Sequence, residues 1–474
     1  MSRFWGLFCN ELAKLRTRWV IRLGVLALVL TALGLSAAQW LSVRSLPETE
    51  DPIAESTRLL YEQLQTLEEE QPEDLELQRE ILLFLLDNRI SIIDNNWRLA
   101  AVQKLSDDIR FRDSLLEDPA LREKAAQMTA GIRQDRALIE ARDYRGYYQK
   151  RLEDTRKDTS LREPQRERLL WRYQYILDNQ VAAEGAEWKY NLMTGLVAAM
   201  SELEEQQALT AQGGGVNRAY EQRLEAGIAI ARYRIEHELE TVAGESISGF
   251  YYEEPSRYWQ LMETSASAVL PLALFVILLA GSSVSGEFAG GTAGALLAVP
   301  ARRGKVLGAK YLSVLAWAAF LLIGFYLASI LAGGLFFGFG DAGASYLSVQ
   351  NGVVREMSGY RMLAEEYLLA GLPLLVYGTA AFSMSALLRN TAAAVGVNAF
   401  LLLAGPYLVS WLHYTLNQDW ARYLLFANLD LGGIRSGANA FPGQTVPFAL
   451  LISGVHLLVF LLTAWDAFVY RDVR

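Results

Sequence analysis

Cysteine is nearly missing from this sequence and histidine is scarce: among 474 residues Cys9 stands alone, and the three histidines are His237, His413 and His456. A single cysteine excludes an intrachain disulfide and a thiolate metal cluster within one copy. No two histidines lie within one helical turn, so a metal or triad site has little to draw on. The phosphate-binding pattern G-x-x-x-x-G-K-[ST] is also missing. Arg302-Arg303-Gly304-Lys305 has neither the preceding glycine nor the following hydroxyl, so that route to ATP hydrolysis is closed. The long polar block lacks a basic excess as well. Residues 42–263 carry 43 acidic and 28 basic side chains, which argues against nucleic acid, because phosphate binding needs a basic surface.

What is present implies two solvents. The chain is 52% hydrophobic, too apolar for one soluble domain, yet 20% charged, too polar to lie wholly in lipid. Apolar runs able to cross a ~30 Å hydrocarbon core as helices occur at Leu23–Leu41, Thr264–Val284, Ala309–Phe337, Tyr367–Leu388, Thr391–His413 and Val446–Val469. These runs predict an all-α membrane protein with six transmembrane helices. Residues 1–22 set Phe4, Phe8, Leu12, Leu15 and Trp19 against Glu11, Lys14, Arg18 and Arg22, the pattern of an interfacial amphipathic helix. Ser36 and Ala38 resemble a signal-peptidase site, but so long an amphipathic lead favours an uncleaved anchor at 23–41.

The block 42–263 reads as helix almost throughout. One stripe runs Leu82, Leu86, Ile90, Ile93, Trp97, Ala101, Leu105 and Ile109; another runs Tyr220, Leu224, Ile228, Ala231, Ile235, Leu239 and Val242. Alternating steps of three and four predict long antiparallel helices packed as a bundle or coiled coil. Breaks are expected near Pro72, Pro119, Pro164 and Gly213-Gly214-Gly215. Arg302, Arg303, Lys305, Lys310, Arg389, Arg471 and Arg474 fall on one side of the spans together with the basic lead. The bias of lysine and arginine toward the cytoplasm then puts both termini inside, including the tail 471–474, and the acidic block outside. Two shorter outer segments, Gly338–Glu366 and Tyr414–Thr445, are expected to re-enter the membrane in part.

The stretch from Gly286 to Lys310, GEFAGGTAGALLAVPARRGKVLGAK, holds the most information. Glu287, Gly291-Thr292, Leu296-Leu297, Pro300, Arg302-Arg303 and Lys310 follow in the order and spacing of a conserved segment of type-2 ATP-binding-cassette (ABC-2) permeases. Asn10-Glu11 with Lys14 is similar to that family's elbow-helix opening. The resemblance covers the lead and the membrane region 264–470, with 285–310 as the coupling segment. It departs from the family at the large block between the first two spans, where many members have a short loop. It implies a permease subunit without a nucleotide site, paired with a second copy or a paralogue. A cytoplasmic ATPase dimer would carry the ATP and magnesium, this chain would bind no cofactor of its own, and membrane lipid would surround it. Glu287 is expected to pair with a basic group on that ATPase, while Gly290, Gly291 and Gly294 allow close approach and Arg302-Arg303 anchor at headgroups. The bland alternative is a small-residue loop that obeys the charge bias.

Other classes have thinner support. Glu365-Glu366 is similar to the paired glutamates of CAAX-type membrane proteases, but Ala370 stands where that pattern needs arginine. Asp466, His456 and His413 are the ionisable candidates near span residues; Asp466 reads as an interfacial residue and His456 as a packed histidine rather than a proton relay. A receptor whose acidic block binds a cationic ligand is a further reading, although six spans exceed what an anchor needs. Glu68-Glu69-Glu70, like Glu202, Glu204 and Glu205, reads as a solvated helix face. Amphipathic cargo, an antimicrobial peptide or drug, is the expectation for an exporter of this kind.

Overall fold

A computed structural model describes residues 2–44, 52–70, 74–211, 218–243, 256–292, 301–350, 352–436, 441 and 443–470. Two compact units emerge. One comprises Met1–Val43, Ser256–Tyr346 and Met357–Arg474; the other comprises Arg44–Pro255 and Leu347–Glu356.

Among the described residues, the first unit contains six helices long and apolar enough to cross a membrane: Trp19–Ser42, Arg257–Gly281, Arg303–Phe337, Gly359–Leu388, Thr391–Thr415 and Val446–Tyr470. Each coincides with one of the six expected runs. The second begins seven residues early, at Arg257 instead of Thr264, because Tyr258, Trp259, Leu261 and Met262 are buried inside the unit. Pro271 divides that span into α11 (Arg257–Ser267) and α12 (Leu272–Gly281), since a proline removes one backbone donor and crowds the preceding turn. A short α13 (Ser285–Ala289) follows. Hydroxyls clamp the spans together. The Tyr367 hydroxyl shares a hydrogen bond with Ser265 Oγ at 2.8 Å and donates to Ser329 Oγ at 3.0 Å, tying the second, third and fourth spans. In lipid such bonds matter because helices have no hydrophobic gain from meeting one another. Large apolar side chains remain exposed on the outer faces, Leu451, Leu458 and Leu462 on the sixth span among them. That is the face a lipid solvent accepts.

Before the first span, which lies in α2 (Trp19–Arg44), α1 (Ser2–Thr17) packs along the start of the third. Of the expected apolar face, Leu15 is buried and Phe4, Phe8 and Leu12 are half-buried, but Glu11, expected on the polar face, is buried too. An ion network explains that burial and is described below.

The second unit is a helical bundle: α3 (Pro52–Glu70), α4 (Leu75–Asp87), α5 (Trp97–Leu116), α6 (Arg122–Glu140), α7 (Tyr144–Lys157), α8 (Glu163–Asp178), α9 (Glu187–Ala211) and α10 (Arg218–Glu236). Consecutive helices pair, α5 with α6, α7 with α8 and α9 with α10. The expected long helix across 82–109 is in fact two. Arg89 adopts φ 48°, and the Asn96 side chain accepts the Leu99 amide as a new N-cap. Pro119 and Pro164 sit at the starts of helical segments as foreseen. The breaks at Pro72 and Gly213–Gly215 lie outside the described residues.

The bundle core centres on Trp97, Tyr147, Tyr148, Ile139, Ile176 and Leu196. Asp135, only 2% exposed, is held there by Lys150 at 2.5 Å and Arg151 at 3.1 Å. A buried carboxylate needs such partners, and removing them would leave the charge uncompensated.

The all-α expectation needs one correction. Gly338–Glu366 forms a 3-10 turn, then a hairpin of β1 (Ser345–Gln350) and β2 (Val353–Ser358), then the start of the fourth span, instead of a re-entrant segment. Leu347, Val349 and Val354 of the hairpin pack on Ile230, Tyr233 and Val242, and Tyr233 donates to Glu356 at 3.2 Å. The described residues of the other segment, 414–445, fold into short helical turns, where buried Asn428 donates to the Arg422 and Leu424 carbonyls.

Candidate functional site

α1, α13 and the first turns of the third span bring four charged side chains together. Lys310, 1% exposed, places its Nζ 2.8 Å from Glu11 Oε2 and 3.1 Å from Glu287 Oε1. Lys14 closes the set from the exposed side, 3.1 Å from Glu11 and 3.6 Å from Glu287. Two carboxylates and two ammonium groups balance. Burial of Lys310 is tolerable because two of its three donors meet carboxylates.

The local sequence explains how Glu287 is aimed. α13 ends in a Schellman turn: the Thr292 amide donates to the Glu287 carbonyl at 3.0 Å and the Gly291 amide to the Phe288 carbonyl at 3.2 Å. The turn requires a left-handed residue, and Gly291 supplies φ +68°. Thr292, one residue on, then donates its hydroxyl to Glu287 Oε2. Glycine and threonine at four and five residues after the glutamate thus each have a task. Burial by itself would raise the Glu287 carboxyl; the Thr292 hydroxyl, Lys310 and Lys14 together outweigh it and hold the pKa down at about 2. Burial likewise opposes the charge on Lys14, but its hydrogen bond to Glu11 and the two carboxylates raise its pKa.

α13 is gripped from other directions too. Ser385 Oγ accepts from the Val284 and Ser285 amides at 3.2 and 2.9 Å, Ser285 Oγ shares a bond with Thr391 at 2.7 Å, and Arg389 lies 4.7 Å over the Phe288 ring. Arg18 donates to Ser282 Oγ at 2.7 Å, pinning the α1–first span corner to the end of α12. Hence one short segment touches α1, the third span and the junction of the fourth and fifth.

Of the residues singled out by sequence, Glu11, Lys14, Glu287, Gly291, Thr292 and Lys310 come together here. Asn10 is exposed and outside the network. Arg302 is the exposed N-cap of the third-span helix, while Arg303 donates to the Val469 carbonyl at 3.4 Å. Leu296, Leu297, Pro300 and Gly294 lie outside the described residues. Glu287 has both carboxylate oxygens engaged within this chain, one by Lys310 and the other by Thr292. Ser282, Ser385 and Thr391 were missed by the sequence reading, which singled out Arg389 only for its charge. Only the position of the three at span ends, where hydroxyls can cap backbone amides, distinguished them.

The rival constellations are engaged elsewhere. Glu366 pairs with Arg435 and Glu365 with Arg361. His456 Nδ1 lies 2.8 Å from the Ile452 carbonyl one turn back, and Asp466 is exposed.

Similar proteins give this geometry a family setting. Residues 244–474 match a family described as "Protein of unknown function (DUF2705)". The uncharacterized protein YhcI of Bacillus subtilis is 34% identical over 248 residues, 52% of this chain and 75% of that protein. The uncharacterized membrane protein YdbK of the same organism is 32% identical over 204 residues, 43% of this chain and 78% of that protein. No solved structure matches. Six apolar helices and a relative that is itself a membrane protein make this a membrane protein.

Proposed function

We propose that this chain, which belongs to the protein family of YhcI and YdbK, is the permease subunit of an ATP-binding-cassette exporter whose ATPase is a separate polypeptide. The observation that carries the reading is the junction of Glu11, Lys14, Glu287 and Lys310. The elbow-helix and coupling-segment residues that resemble ABC-2 permeases are far apart in sequence yet meet in one buried ion network. A permease driven from outside its own chain needs a stiff receiving surface. α13, fixed to α1 and to three spans by charge and hydroxyl bonds, answers that need, because a push on it is shared by several spans at once.

In this reading both termini and α13 face the cytoplasm of a bacterial plasma membrane, and the acidic bundle is an ectodomain. Two permease copies, or this chain and a paralogue, sit on an ATPase dimer that holds ATP and magnesium. Two exposed residues, Asn10 next to Glu11 and Arg302 at the N-cap of the third-span helix, form the docking rim; the network keeps the helices that carry them in place. Cargo is read as an amphipathic antimicrobial peptide or drug, a reading that unchanged susceptibility of a deletion strain would remove.

A photo-crosslinker placed singly at Asn10, Arg302 or the apolar, exposed Leu26 tests the docking rim in whole cells. Crosslinks to a nucleotide-hydrolysing protein from the first two positions and none from Leu26 are expected. Equal labelling at all three, or none at any, would contradict it.

A further inference from the structure

The bundle unit contains a cavity of about 370 Å³ between α8 and α9, lined by Leu161, Leu169, Trp171, Val197 and Met200 with Gln165, Arg168, Arg172 and Ser201. Its volume lies within the usual range for small-molecule sites, about 300–1,000 Å³, and corresponds to roughly a dozen water-sized groups at ~30 Å³ each. The lining is divided by chemistry: an apolar floor and a wall that holds two guanidinium groups.

A third arginine stands behind the floor. Arg232 of α10 stacks 5.2 Å over the Trp171 ring and reaches Met200 Sδ at 3.7 Å. Arg172 is steadied by the Tyr190 hydroxyl. Even so, the Nε atoms of Arg172 and Arg232 are both buried without a hydrogen-bond partner, a costly arrangement for groups that always carry charge. Arg168 pairs with Glu204. That pair is about half exposed on both sides, so an incoming anion displaces it at small cost.

We infer that this cavity is a binding site for a small single-chain amphiphile with an anionic head, the apolar body lying on Trp171, Leu169, Val197 and Met200 and the head on Arg168 and Arg172. The unit is acidic as a whole, yet the cavity has the opposite polarity; a cationic ligand would meet guanidinium groups there. The inference stands apart from the transport reading, since it concerns equilibrium binding alone.

The test uses the full chain in lipid nanodiscs, titrated calorimetrically with decanoate, decyl sulfate and decyltrimethylammonium, with empty nanodiscs subtracted. Saturable one-to-one binding of both anions is expected, at least tenfold tighter than any binding of the cation. Ser201→Trp, from an exposed helix position at the cavity mouth, and Arg172→Gln should each weaken anion binding at least tenfold. Thermal unfolding of each variant separates loss of the site from loss of the fold. If Arg172→Gln unfolds, Ser201→Trp alone decides. Equal binding of cation and anions, or full anion binding by folded Ser201→Trp, would overturn the inference. Decyl sulfate without decanoate would also overturn it, because a guanidinium wall accepts either head.

Discussion

At the scale of single residues, the four network charges are unequal although they touch. Lys310 is 1% exposed in its side chain and Lys14 45%, and exposure decides what an ion pair is worth. Lys310→Met leaves Glu11 and Glu287 facing each other without their buried cation. It should cost about 3–5 kcal/mol in denaturant unfolding of the membrane unit, whereas Lys14→Met should cost under about 1 kcal/mol. Equal costs would mean that the network is solvated. Glu287 adds a pH signature. Its folded pKa lies below its ordinary 4.5, at about 2, so its stabilising contribution is complete above pH 4.5 and disappears as pH falls toward 2. Thermal melts from pH 6 to 2 should show wild type losing more stability than Glu287→Gln across that window; parallel curves would show that the depression is not real. Glu11, Lys14, Glu287, Gly291, Thr292 and Lys310 were legible as candidates because their spacing resembles that of ABC-2 permeases. The direction of Glu287 was not legible, since sequence spacing does not show that Lys310 comes back to it.

At the scale of elements, α13 is only five residues long and its rigidity comes from its terminal turn and neighbours. Gly291→Ala must hold a side chain at φ +68°, which costs roughly 1–2 kcal/mol. It should also shift Glu287 off Lys310, so a loss of stability larger than that figure is expected, partly suppressed in the Glu287→Gln background. A loss of the same size in both backgrounds would uncouple the turn from the network. The six spans were readable from apolar length alone, and Pro119 and Pro164 marked helix starts. The hairpin was not read. Gly and aromatic residues over 338–366 suggested membrane re-entry, yet Tyr346-Leu347-Ser348-Val349 and Val353-Val354-Arg355-Glu356 around Asn351-Gly352 carry the alternation and turn chemistry of a two-residue hairpin, with Gly352 at φ +76°. The stripe from Leu82 to Ile109 misled in the other direction, because hydrophobic spacing continued through a loop whose polar residues, Asn88 and Asn96, end one helix and cap the next.

At the scale of the whole molecule, the chain divides its tasks between solvents. The membrane unit leaves large apolar side chains on its outer faces, and the bundle unit closes its own aromatic core. In the proposed reading the chain, which has no Walker sequence, takes its energy from a partner, and the ion-bonded α13 is where that partner's work would enter. Composition made the two solvents plain from the start, while the bundle's cavity, with its arginines inside an acidic block, could not be found by counting charge. The most direct measurement is ATP hydrolysis by the tagged chain purified from its own host in mild detergent, wild type beside Lys310→Met. A co-purifying nucleotide-hydrolysing subunit is expected with wild type, and weaker recovery or slower turnover with the variant. Pure, folded wild-type chain with no second polypeptide and no hydrolysis would contradict it.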